Sequence, residues 1–151
     1  ERSDINCFVH THTLATSTIG ALEEGFKPLS QPGIMLANEV SISHFDFYQP
    51  GNETVKLMNG KLTMLQKWHG AFVAGTSIAQ CFYLTLSLDR ACQAQQKLLA
   101  TGKSYHVPSD EEIAQWSQAY IDDPFYGGYD GARVWPAMKR KVQRMQPDYA
   151  N

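Results

Sequence analysis

The chain has 151 residues, 43% hydrophobic, 11% aromatic and 19% charged, enough apolar material for one compact domain and too much for a disordered one. Thirteen Lys and Arg against fifteen Asp and Glu leave a formal charge of −2, which argues against nucleic-acid binding by phosphate neutralisation and against a polybasic membrane anchor. No apolar run approaches the roughly 20 residues of a spanning helix, and Cys7, Cys81 and Cys92, without CxxC spacing, read as buried thiols in a reducing, cytoplasmic setting.

In chain order, a polar opening feeds the apolar run Cys7-Phe8-Val9, which reads as a buried strand with neighbours on both sides, and so with elements upstream of residue 1. Leu14 to Leu22 carries apolar residues at roughly helical spacing, with Gly25 as a stop signal. Pro28, Pro32 and Gly33 break the backbone before the short segment Ile34 to Ala37, and Val40 to Phe47 begins with the alternation of a half-buried strand. Pro50-Gly51-Asn52 reads as a turn. Leu62 to Trp68 and Ala71 to Val73 read as one or two strands interrupted at His69-Gly70.

Ser77 to Thr101 is the longest helical stretch, with Gly102 where a C-terminal cap belongs. Its early apolar residues, Ile78, Cys81, Phe82, Leu84, Leu86 and Leu88, wrap most of the circumference and predict burial of that half. Ser109-Asp-Glu-Glu112 fits a capping box. Trp135-Pro136 opens a last helix rich in Lys and Arg that ends before Pro147. Strands alternating with helices predict a layered, mixed α/β domain.

Three of the five histidines make a pattern. If the first strand runs through His10-Thr11-His12, its period of two puts both imidazoles on one face, close enough to share a metal. His69 stands at a strand end beside Gly70 and is the third candidate. Three neutral imidazoles with an open position are the donor set of a catalytic zinc site. Spacing alone leaves the plainer reading open, because an HxH pair is commonly two ordinary strand residues. His44 reads as a hydrogen-bonded structural residue and His106 as a surface residue. Cys81 and Cys92 read as core packing. Lys139-Arg140-Lys141 reads as the solvated face of the last helix.

The surroundings of these histidines resemble a known family. Val9-His10-Thr11-His12-Thr13-Leu14-Ala15-Thr16 is similar to the "V-H-T-H-S-x-x-A" element of the class II aldolase and adducin head-domain family, and Leu65-Gln-Lys-Trp-His69-Gly70-Ala-Phe-Val-Ala-Gly75 to its "L-x-x-N-H-G-x-x-x-x-G". Ala79 to Leu84 with Leu88-Asp89-Arg90-Ala91-Cys92-Gln93-Ala94-Gln95 resembles the helix "A-F-Y-x-x-x-x-L-E-R-A-C-x-x-Q". Leu29-Ser30-Gln31, Ser43-His44-Phe45-Asp46 and the tail from Trp135-Pro136-Ala137-Met138 to Asp148-Tyr149 match further elements in order, so the resemblance runs along nearly the whole chain.

The resemblance implies a three-layer α/β/α fold with a central, largely antiparallel sheet, like that of L-fuculose-phosphate aldolase, formed by a domain that spans 1–151 and lacks an N-terminal segment. It carries the zinc-ligand roles onto His10, His12 and His69, with Zn2+ the expected ion and Fe2+ or another divalent metal the alternative. It implies a lyase that cleaves or rearranges a small-molecule hydroxylated carbonyl compound through a metal-stabilised enediolate. It further implies a homo-oligomer, in this family a tetramer, and a catalytic glutamate that falls upstream of residue 1, in a precursor or a separate N-terminal chain; Glu1 is out of register for that role. Trp68 replaces the family's Asn and adds an indole beside the site, an expected substrate contact. Phe125-Tyr126-Gly127-Gly128-Tyr129 reads either as a packed turn or as an aromatic lid or subunit contact, with Tyr126 and Tyr129 as the candidate substrate contacts. Adducin head domains, which lack the ligands, make a non-catalytic binding module the alternative. Epimerases, dehydratases and decarboxylating oxygenases on the same scaffold offer other reactions.

Overall fold

The computed structural model describes residues 2–48, 50–123 and 128–149. In chain order its elements are β1 (Cys7–Thr11), α1 (Leu14–Ala21), α2 (Gln31–Met35), β2 (Val40–Ser43), α3 (Gly51–Leu57), β3 (Thr63–Gln66), β4 (Gly70–Gly75), α4 (Ile78–Ala100), α5 (Asp110–Asp122) and α6 (Val134–Met145). The four strands form one sheet in the order β1-β4-β3-β2. Strands β1 and β4 pair antiparallel, as do β3 and β4, while β2 and β3 run parallel. Helices packed on a sheet are the mixed α/β domain that the alternation of elements predicts, and the largely antiparallel pairing is the one that the family resemblance implies.

The alternation of side chains divides this sheet into two unlike faces. Val9, Leu65, Ala71 and Val73 point toward α1, α2 and α4, where Ile19, Leu36, Leu84 and Leu88 complete a fully buried core. The other face carries Phe8 and His10 on β1, Phe72 and Ala74 on β4, and Met64 on β3, in direct cross-strand register. Met58, just after α3, closes part of that second face against Met64 and Ala74.

Local chemistry sets the helix ends. The Thr13 hydroxyl accepts the Thr16 N–H at 3.3 Å, so the chain turns from β1 into α1 within two residues. Ser77 caps α4, and Gly102 follows its last turn at φ +64, the left-handed conformation that ends helices. Both halves of the capping box at Ser109 and Glu112 are formed. Inside α4 the Gln95 amide is fully buried, with both its oxygen and its nitrogen bonded. Its oxygen accepts the Lys27 N–H at 2.9 Å and its nitrogen donates to the Gly25 carbonyl at 2.8 Å, pinning the loop after α1.

Four expectations are corrected. The strand expected over Val40 to Phe47 ends at Ser43, because its partner β3 ends at Gln66, the residue paired with Ser43. Pro50-Gly51-Asn52 is the start of α3, where the fixed φ of proline suits the residue before a first helical turn. Cys7-Phe8-Val9 is not fully buried: β1 pairs only with β4 among the described residues, and Phe8 is 45% exposed. The first turns of α4 are buried along one stripe (Cys81, Leu84, Leu88) rather than all round, and Ile78 is exposed.

Candidate metal centre

β1 and the β3–β4 hairpin bring the three histidines together. β1 ends at Thr11, short of the strand expected through His12; His12, the next residue, still brings its ring edge-on to His10 with centroids 4.5 Å apart, and pairing of Thr11 with Ala71 sets the start of β4, and so His69, opposite them. The Nε2 atoms of His10 and His12 lie 2.8 Å apart, and those of His12 and His69 lie 2.9 Å apart. Gly70 makes the approach possible: a Cβ there would run into the Thr11 carbonyl oxygen and stand 2.8 Å from His12 Cδ2.

Two of the rings are oriented by bonds to their other nitrogen. His10 Nδ1 donates to the Ala71 carbonyl at 2.9 Å, and the ring stacks on Phe72 with centroids 4.0 Å apart. His69 Nδ1 donates to Gln66 Oε1 at 2.8 Å. A neutral imidazole that donates through Nδ1 carries its lone pair on Nε2. Those two lone pairs therefore face inward toward His12 Nε2, which lies within 3 Å of both, so the three nitrogens converge either on a hydrogen donated by His12 or on a cation among them.

The rest of His69 is held as firmly. Its N–H donates to the Gln66 carbonyl at 3.2 Å, and its own carbonyl accepts the Ser17 hydroxyl of α1 at 2.8 Å. Burial, followed by repulsion from His10 and His12, keeps the His69 imidazole below its usual pKa, which favours the neutral, ligating form. Among the described residues, His10, His12 and His69 are the cluster of metal-ligating side chains, two exposed and one half-buried, with the exposed side open to a further ligand. The donor set thus fits a divalent cation of the zinc type.

Trp68 sits in the turn before His69, 66% exposed, at φ +63. The turn runs from Gln66 to His69, and only the third of its four residues has positive φ, the type II pattern that favours Gly or Asn there. An indole in that place is strained backbone at the rim of the site. Its ring lies 5.9 Å from His44, which is exposed just beyond β2. Phe45 lies tilted against His69, with ring centroids 4.1 Å apart.

Tyr129 does not join the triad. Its hydroxyl donates to the Met35 carbonyl at 2.9 Å, and it packs against the helical core on the other face. Tyr126 lies outside the described residues. Gln66, Ser17, Phe45 and Phe72 are the parts that sequence reasoning missed. Gln66 left one signal, a polar residue at the end of an apolar strand. A cavity of about 660 Å³, bordered by Ile5, Phe8, Val55 and Met58, shares no residue with the triad.

Residues 1–96 match the family described as the class II aldolase and adducin N-terminal domain. The chain belongs to that family. It is 27% identical over 155 residues to a Pseudomonas aeruginosa protein provisionally named a class 2 aldolase, covering 98% of this chain and 59% of that protein. It is 26% identical over 104 residues to human gamma-adducin, covering 66% of this chain and 15% of adducin. The crystal structure of an aldolase II superfamily protein from Pseudomonas syringae superimposes with a TM-score of 0.85 at 25% identity, covering 99% of this chain and 61% of that one. The chain therefore spans about three-fifths of the bacterial relatives it matches. No described helix is long and apolar enough to cross a membrane.

Proposed function

We propose that this chain carries the metal centre of a divalent-metal-dependent lyase of the class II aldolase type, with His10, His12 and His69 as ligands and a hydroxylated carbonyl compound as substrate. The convergence of three Nε2 atoms, two of them on rings committed through Nδ1, is the observation that carries this reading. A divalent ion held there, zinc first and iron second, supplies Lewis acidity toward neighbouring carbonyl and hydroxyl oxygens as a carbon–carbon bond breaks.

The chain's own residues do the positioning. Ala71 and Gln66 hold the His10 and His69 rings in the ligating tautomer, and Ser17 fixes the backbone of His69 as well. The Trp68 indole and the Phe45 ring border the ligands, where they wall the substrate from bulk water and contact its apolar carbons. The carboxylate that moves the proton comes from polypeptide outside these residues. A homotetramer in the cytoplasm belongs to the same proposal, and three free thiols support a reducing setting.

The test is cleavage of a hydroxylated carbonyl substrate by the whole protein. Activity should vanish with a chelator, return with zinc, and stay absent in His12→Ala. Activity that a chelator leaves intact contradicts the proposal. The gamma-adducin relationship favours a second reading, a binding module without catalysis. A native, folded protein that takes up no metal fits only that second reading.

A further inference from the structure

Gln66 ends β3 at 3% exposure, in a strand whose every residue is buried. Its side chain projects on the same sheet face as Met64, Phe72 and His10, as the register requires. A primary amide in such a place costs stability unless its polar atoms are bonded. Gln66 Oε1 meets His69 Nδ1 at 2.8 Å, and the Gln66 carbonyl accepts the His69 N–H at 3.2 Å. One residue thus grips the backbone and the ring of the same histidine.

The contrast with His10 gives this contact its meaning. His10 Nδ1 is held by the main-chain carbonyl of Ala71, which no substitution removes. His69 Nδ1 is held by a side chain. The orientation of the ring therefore depends on the identity of residue 66. An amide oxygen accepts the Nδ1–H hydrogen bond without bringing a negative charge, so it fixes the tautomer while adding no charge that would offset a cation's.

Resting on the metal-centre reading above, we infer that Gln66 is a positioning residue of that centre: it holds His69 with Nδ1 protonated and aims the Nε2 lone pair at the point shared with His10 and His12.

The experiment compares the wild-type chain with Gln66→Met, which keeps length and bulk without a strong acceptor, and Gln66→Glu, which keeps the acceptor and adds charge. Zinc affinity is measured by competition with a chromophoric chelator, and the His69 tautomer by nitrogen-15 NMR of the zinc-free chain. Q66M should bind zinc about 10–100-fold more weakly and lose the Nδ1-protonated preference. Q66E should keep the tautomer and bind at least as tightly as wild type, a rescue that a purely structural role would not give. Q66M that binds as tightly as wild type overturns the inference alone. If Q66M does not fold, weaker zinc binding by folded Q66E overturns it. A folded wild-type chain that binds no zinc overturns the inference and the metal-centre reading together.

Discussion

Ser17 and His69, 52 residues apart, are joined by a hydrogen bond in which the Ser17 hydroxyl donates to the His69 carbonyl at 2.8 Å. Helix α1 begins two residues after His12, so this contact ties the β1–α1 segment bearing two ligands to the hairpin bearing the third. Ser17→Ala leaves that carbonyl without its donor and should cost about 1 kcal/mol of stability, measured by denaturant unfolding. It should also weaken zinc binding. Unchanged stability and affinity would show that α1 does not hold the hairpin in place.

Trp68 makes a prediction of opposite sign. At φ +63 a side chain strains the backbone, and asparagine tolerates that region better than tryptophan. Trp68→Asn should raise stability by about 1 kcal/mol, leave zinc affinity unchanged, and raise KM for the hydroxylated carbonyl substrate in the whole protein. A variant less stable than wild type would mean that the exposed indole contributes more in packing than the turn loses in strain.

Gly70 allows no side chain. Gly70→Ala drives a methyl group into the Thr11 carbonyl and against His12, which should cost about 2 kcal/mol and separate the ligands. The thermal midpoint and zinc uptake should fall together. A variant with wild-type zinc affinity would show that β1 can draw back without opening the centre.

The thiols give a pH-dependent test. Burial pushes the Cys81 thiol, which donates to the Cys7 carbonyl at 3.4 Å, up to about 12. Burial, and then the nearby Asp89 charge, pushes Cys92 up to about 12 as well. A raised thiol pKa means less thiolate at any given pH, so both should resist alkylation in the native chain at pH values where free cysteine reacts, and react once the chain unfolds. Mass mapping after iodoacetamide treatment reads this directly. Rapid native labelling of Cys92 would show that α4 opens readily.

The two ligand-bearing stretches were legible in the sequence because each rests on a short-range rule. The HxH spacing places His10 near His12, although β1 stops at Thr11, and a glycine after His69 marks a tight turn at a strand end. The family motifs then joined the two stretches across the chain. Positions that depend on tertiary surroundings were not legible. Pro50-Gly51-Asn52 has turn composition, yet it opens α3, and Met58 at the end of that helix packs against Met64 and Ala74. Val40 to Phe47 alternates like a strand, yet its length is set by a partner that turns away at Gln66. Tyr129 lies in an aromatic run that reads equally as a packed turn or a lid, and its hydroxyl, committed to the Met35 carbonyl, fits the packed alternative. The role of Gln66 could not be read from its spacing, because an amide three residues before a histidine becomes a partner only when a tight turn folds one back on the other.

The most direct test of the metal centre is the metal content of the purified, folded chain beside His12→Ala. Elemental analysis should find a single divalent ion per wild-type chain, and none in the variant once its fold has been verified by circular dichroism. A wild-type chain that stays metal-free after equilibration with zinc and with ferrous iron would contradict it, as would a His12→Ala chain that keeps the full complement.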